Sequence, residues 1–358
     1  MKRILVTGAG GSPSTNFIRS LRESPEKFHI VGVDCDKYCL QRAETEERFL
    51  VPEAGDPAYL PVLRSIIEDT NAELVYSQPD QEIRVISGAR AELGARTFLP
   101  SHRTIEICQD KYESFRCWKA AGLRVPETML INDEAGLADA FRRFGAPLWL
   151  RAIVSPGGGK GSFPAQDPPT AKAWLDFCHG WGNFTAAECL QPESTTWTGL
   201  YRKGELIVAQ ARRRLYWEFA NRVPSGVTGV TGTGITISDP QLDELALAAV
   251  AAIDPEPHGI FAVDFTFDAT GVPNPTEINI GRFFTTHLFF TRAGLNLPHL
   301  FVKLAYEELL APLPKKFGPL RPGLAWVRGM DFLPVLTDVD AIEKPAIELQ
   351  RRRRLCGC

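Results

Sequence analysis

The stretch "GIFAVDFTFDATGVPNPTEINIGR", residues 259–282, decides how the rest of the chain is read. Two β-prone runs flank the turn-forming "DATG", so the spacing predicts an antiparallel hairpin. Side chains alternate along a strand, so Glu277 and Asn279 share one face. Asp264 lies between Val263 and Phe265, which point the other way. Pairing the strands brings Asp264, Glu277 and Asn279 side by side. Two carboxylates and an amide oxygen are hard ligands, and they suit Mg²⁺, which takes few protein ligands and keeps phosphate oxygens and water. A solvent-facing strand edge would carry the same residues, so the segments upstream must arbitrate.

Working outward, "WLRAIVSPGGGKGS" (149–162) reads as a strand ending in Arg151, followed by a glycine loop with Lys160. Small residues let backbone N–H groups close on phosphates, and cations offset the phosphate charge. Lys160 is followed by Gly161 rather than Ser or Thr, so this is not a Walker A loop. "DKYESF" places Lys111 at a helix start, and "AECLQPES" is an acidic strand end with Glu188, Cys189, Leu190 and Glu193. "LYRKGELIVAQARRRLYW" predicts a hairpin turning at Lys203-Gly204. Its return strand carries Arg212, Arg213 and Arg214, the first and third on one face and the second on the other. "SDPQLDELALAAVAAI" predicts a helix capped by Ser238 or Asp239, with Pro240 in its first turn.

The order of these pieces, from Lys111 through the basic strand, glycine loop, acidic strand end and basic strand to the Asp and Glu-x-Asn hairpin, resembles the ATP-grasp superfamily. The likeness is to its carbamoyl-phosphate-synthase-like and biotin-carboxylase-like branch, and it spans about residues 1 to 310. It implies an α/β and α+β fold: a Rossmann-like N-terminal domain (1–108), a small lobe with the glycine flap (109–187), a C-terminal lobe with the metal site (188–311) and a C-terminal extension (312–358). It also implies ATP with Mg²⁺ or Mn²⁺, small-molecule carboxylate and amine substrates, and chemistry through an acyl phosphate with release of ADP and phosphate.

By position, Lys111 and Arg151 would contact phosphates, and Gly157, Gly158, Gly159, Lys160 and Gly161 would form the flap. Glu188, Cys189 and Leu190 would form the adenine hinge, and Glu193 would hold the ribose. Asp264, Glu277 and Asn279 would ligate the metal, with Arg282 and Arg151 at the reacting groups. The family usually has lysine where Arg151 stands, and Asn-Pro-Arg where this chain has Asn-Ile-Gly-Arg. That extra residue could swing Arg282 away. A phosphotransferase without ligation and a non-catalytic nucleotide sensor are the alternatives within the same superfamily.

The N-terminal third alternates strand and helix, which argues for a parallel sheet with helices on both faces. Its first turn, "ILVTGAGGSPSTNFIRSL" (4–21), has Gly8 and Gly10 of a dinucleotide fingerprint, but Pro13 stands at the third glycine. Asp34 closes the second strand near where a ribose-binding acid would sit. An NAD-linked epimerase or reductase is thus another reading, though no tyrosine has lysine four residues on. Asp80 and Glu82, in "SQPDQE", could hold a substrate ammonium or cap the helix that follows.

Composition is ordinary, with 44% apolar and 23% charged residues and a net charge of −3, so nucleic acid and anionic membrane are not expected partners. The eight cysteines form no CxxC pair, which fits reduced thiols in a cytoplasmic protein. A homodimer is compatible with the resemblance. After Pro312 the chain turns proline-rich; "GLAWVRGMDFLPVL" reads as one more strand, and "RRRRLCGC" as a solvated tail.

Overall fold

The computed structural model describes residues 1–154 and 161–357. Three sheets organise the chain. The first is parallel, with β1 (Lys2–Val6), β2 (Phe28–Asp34), β3 (Glu47–Leu50), β4 (Leu74–Tyr76) and β5 (Arg96–Thr97) in the order β3-β2-β1-β4-β5. Ile4, Leu5 and Val6 are fully buried, as expected of a strand covered on both faces. The helix Ser12–Arg22 follows β1 directly. Pro13 fits its first turn, where no N–H is required, and the Ser14 hydroxyl donates to Thr7 O at 2.9 Å, locking the turn.

The second sheet is antiparallel and small: β6 (Thr128–Ile131), β7 (Leu148–Ala152), β8 (Phe163–Ala165) and β9 (Phe184–Glu188), ordered β6-β9-β7-β8. The helices Glu134–Phe144 and Pro168–Phe177 cover it through Leu137, Ala140, Ala171 and Leu175. The third sheet is the largest: β10 (Ser194–Arg202), β11 (Glu205–Trp217), β12 (Thr231–Ile237), β13 (Gly259–Phe267), β14 (Pro273–Ile280) and β15 (Ala325–Val327), ordered β14-β13-β10-β11-β12-β15.

Both expected hairpins are present. β10 turns into β11 at Lys203 and Gly204, each with positive φ, which suits the twist of a two-residue turn. β13 and β14 pair antiparallel, with Asp264 directly opposite Glu277. The helix Pro240–Ala251 is capped by Asp239, whose carboxylate accepts from Gln241 N at 3.0 Å.

Two expectations about the C-terminal extension need correction. The run after Pro322 forms only the short edge strand β15. The tail is not free in solvent: Val339–Leu355 is a helix capped by Asp338 and docked on the N-terminal sheet. Arg352 pairs with Asp69 at 2.6 Å and lies over Phe49, while Arg353 pairs with Asp56 at 2.5 Å. Arg352 and Arg353 therefore dock the helix, while Arg351 and Arg354 stay exposed. Among the described residues, no helix is long and apolar enough to cross a membrane.

Candidate active site

The third sheet carries one continuous polar row. Glu277 on β14 faces Asp264 on β13, which faces Thr196 on β10, which faces Arg212 on β11. One pair along, Ser194 faces Arg214. Directly opposed residues project to the same side of a sheet, so Asp264, Glu277, Arg212 and Arg214 share a face. Arg213 points away and is exposed. Alternation along β11 thus resolves which arginines look toward the acids.

Across from this row stands the small sheet. Arg151, at the end of β7, forms an ion pair with Glu277 and donates to Thr276 O at 3.1 Å. Lys111 Nζ lies 3.7 Å from the other Glu277 oxygen. Asp110 fixes Lys111 at the first position of its helix by accepting from Tyr112 N and Glu113 N. The Lys111 N–H donates to Ile153 O at 3.1 Å, tying that helix to the end of β7. Burial pushes Glu277 up, but Arg151, Lys111 and Arg282 outweigh it and hold the carboxyl at about 2. Burial lowers Lys111, and Glu277 opposes that shift.

Asp264 accepts from Thr196 Oγ1 and from Asn279 Nδ2, the latter at 3.0 Å. Asn279 Oδ1 in turn accepts from Arg282 Nη2 at 2.8 Å. Arg282 also grips Asp80 with two bonds, Nε to Oδ1 at 2.7 Å and Nη2 to Oδ2 at 3.1 Å. Gly281 makes this possible. Its φ is +69°, and a Cβ there would come within 3.0 Å of Leu99. The residue inserted in Asn-Ile-Gly-Arg is absorbed by a left-handed glycine, so Arg282 reaches Asn279 after all.

The chain was compared with known proteins. Residues 4–97 match the family described as PylC-like, N-terminal domain. No curated protein sequence matches. Among solved structures, biotin carboxylase from Campylobacter jejuni, complexed with β-γ-ATP, is similar at a TM-score of 0.68 and 17% identity, covering 88% of this chain and 73% of that one. N5-carboxyaminoimidazole synthetase from Staphylococcus aureus, complexed with ADP, gives 0.68 and 14%, covering 90% and 80%. An L-amino acid ligase from Bacillus licheniformis gives 0.64 and 14%, covering 86% and 75%. The fold is an ATP-grasp fold.

Within this ATP-grasp frame, the segment joining β9 to β10 links the two antiparallel sheets. Glu188, Cys189 and Glu193 are exposed on it and Leu190 is half-buried. Gln191 N donates to Phe267 O at 2.8 Å and fastens the segment to the end of β13. Gly157, Gly158, Gly159 and Lys160 lie outside the described residues; Gly161, just beyond them, has φ +81°.

The N-terminal glycine turn does different work from a dinucleotide loop. Asp34 accepts from Gly10 N and Asp36 N, both at 3.0 Å, so its carboxylate is committed to the turn. A Cβ at Gly10 would sit 1.9 Å from Cys39 O. The chain itself fills the space that this glycine leaves open. Asp80 is committed to Arg282, and Glu82 is buried, so neither acid is displayed to solvent as a helix cap. Burial, against hydroxyl contacts from Thr7 and Tyr59, pushes Glu82 up to about 7.

Sequence reasoning missed Thr196, and it read Asp80 as an ammonium ligand or helix cap rather than as the partner of Arg282. Thr196 could have been found by sliding "STTWTGL" against the β13 register. Nothing local marks Asp80 as the partner of an arginine some two hundred positions away.

Proposed function

We propose that this protein is an ATP- and Mg²⁺-dependent carboxylate–amine ligase acting through an acyl phosphate. One observation carries the reading: Asp264 and Glu277 stand opposite one another on the large sheet, and Glu277 meets Arg151 from the small sheet and Lys111 from the start of its helix. Acids on one wall and cations on the other suit a metal–triphosphate complex between them, with the phosphates against the cations and the metal against the acids. The donor set fits the ion. Both acids are held charged or hydrogen-bonded, and Asn279 Oδ1 has a second lone pair beyond the one Arg282 uses. Mg²⁺ or Mn²⁺ on Asp264, Glu277 and Asn279 would neutralise phosphate charge and orient the β- and γ-oxygens.

The chain's own residues do the rest. Lys111 and Arg151 hold the phosphates. Glu188, Cys189 and Leu190 receive adenine on the inter-sheet segment, and Glu193 receives ribose. The flap expected at Gly157 to Lys160 lies outside the described residues. A carboxylate oxygen of the acid attacks the γ-phosphorus, the bond to the β,γ-bridging oxygen breaks, and ADP leaves. An amine then attacks the acyl carbon, expelling phosphate and losing a proton. Arg282, oriented by Asp80, stabilises charge that grows on the transferring group. The similar proteins, a biotin carboxylase with β-γ-ATP, a synthetase with ADP and an amino acid ligase, support this reading.

The test is ADP and phosphate release on pooled small acids and amines. ADP formation that requires both an acid and an amine supports the ligase. Adding hydroxylamine in place of the amine should trap a hydroxamate. ADP formation with no hydroxamate and a stable phosphorylated acceptor would mean phosphotransfer instead.

A further inference from the structure

The proposed chemistry needs a seat for the acid substrate, and the polar row leaves one group unexplained. Arg212 is 3% exposed, and its Nε and Nη1 are buried without a hydrogen-bond acceptor among the described residues. Close by, His287 is fully buried with neither ring nitrogen partnered, and the buried Thr286 hydroxyl is likewise unpartnered. Arg212 and His287 meet at one ring, and Thr286 directly precedes His287. The Arg212 guanidinium lies 4.7 Å from the centre of the Phe284 ring, and the His287 ring lies 4.2 Å from the same centre. Leaving that many buried polar atoms unmatched is costly, so the arrangement calls for a ligand that accepts hydrogen bonds.

The walls are firmly built. Phe283 N accepts no freedom: it donates to Tyr76 Oη at 3.0 Å, and Phe283 O receives Gln78 Nε2 at 3.0 Å. Asn16 Nδ2 donates to Thr285 O at 2.6 Å. From the C-terminal extension, Arg328 pairs with Asp331, which also accepts from Asn16 at 3.3 Å. The acids near Arg212 are already committed: Asp331 to Arg328 and Asn16, and Asp264 to Thr196 and Asn279. Three arginines, Arg212, Arg214 and Arg328, border the region. Burial and its arginine neighbours Arg214 and Arg328 bring Arg212 down to about 9, with Asp264 opposing, so it stays charged at neutral pH. Burial and Arg212 push His287 far below its ordinary value, leaving a neutral ring that donates one N–H.

Resting on the ligase reading, we propose that Arg212, Thr286 and His287 seat the carboxylate of the acid substrate, and that this acid carries no ammonium group beside it. The donors match an oxyanion, and an adjacent ammonium would meet guanidinium groups, the neighbouring acids Asp264 and Asp331 being already committed.

The test uses the full chain with ¹⁵N-labelled histidine, saturated with MgADP and titrated with succinate, aspartate and inorganic phosphate. Ring signals of His287 are assigned by their loss in His287→Gln. Succinate should shift them saturably, with an affinity at least about tenfold above that of aspartate and of phosphate, since charged hydrogen bonds are at stake. Arg212→Gln should weaken succinate at least about tenfold, and Thr286→Val, which removes only a hydroxyl, by several-fold, with MgADP binding unchanged. No saturable shift, an unchanged response in both variants, or tighter binding of aspartate or phosphate would overturn the assignment. Failure of MgADP to bind the wild-type chain would instead overturn the ligase reading, and the succinate titration would still judge the pocket.

Discussion

Two acidic positions look alike in sequence and behave oppositely in the fold. Asp34 ends a strand after a glycine turn; Asp264 sits in a strand before a glycine-bearing segment. Asp34 spends its carboxylate on backbone N–H groups of its own turn, at Gly10 and Asp36. Asp264 instead shares a sheet face with Glu277, which pairs with Arg151 from the small sheet and lies near Lys111 from a helix start. The difference teaches that an acid's role follows from what its carboxylate meets in the fold: backbone N–H groups of its own turn for Asp34, side chains of the neighbouring strands for Asp264. At the N-terminal turn the backbone is the ligand. At the hairpin, Glu277 draws its cationic partners from outside the large sheet.

The comparison can be broken in several ways. The largest effect is expected at the hairpin. Glu277→Ala removes a metal-facing carboxylate and the acid that pairs with Arg151, so ADP release in a coupled assay should fall by about 10³-fold or more; near-normal turnover would dissolve the contrast. Next, Arg282→Ala should lower turnover by roughly 10²-fold, the scale of one lost charge-stabilising donor. Asp80→Asn should cost less and show as a partial loss of the same kind, because Asp80 acts by orienting Arg282.

The N-terminal region should respond in stability rather than chemistry. Asp34→Ala should destabilise by about 1–3 kcal/mol in urea unfolding, the cost of stranding buried N–H groups. Its affinity for MgADP should not change, and the wild-type chain should not quench or enhance NADH fluorescence. Glu82 sharpens the point through pH. Its folded pKa is raised to about 7 from an ordinary 4.5, so its penalty is absent below pH 4.5 and grows as pH rises toward 7. Glu82→Gln should therefore stabilise the protein at pH 8, by up to about 3 kcal/mol, and leave it little changed at pH 4. Glu277 has the opposite sign: held at about 2, its stabilisation is present above 4.5 and is lost as pH falls toward 2. The smallest effect is at the tail, where Arg352→Ala should cost about 1 kcal/mol of stability, since its partner Asp69 is largely exposed.

What could be read from sequence was local. The parallel sheet follows from alternating buried strands and helices, and both hairpins follow from turn residues between β-prone runs. Alternation within β13 and β14 puts Asp264, Glu277 and Asn279 on one face. What could not be read was long-range. Arg282 meets Asp80, and Asn16 meets Asp331, only because separate sheets are packed together. The C-terminal helix was hidden for a physical reason: Pro345 lies inside it, and proline ordinarily argues against a helix interior. Its arginines looked like a solvated tail because the acids that receive them, Asp56 and Asp69, lie near the other end of the chain.

The most direct test is Mn²⁺ binding followed by electron paramagnetic resonance in the presence of ADP. The account predicts that the wild-type chain sequesters Mn²⁺ only when ADP is present, and that Asp264→Asn with Glu277→Gln abolishes this in a chain that still folds. Equal sequestration by the doubly substituted chain would place the metal elsewhere and contradict the account.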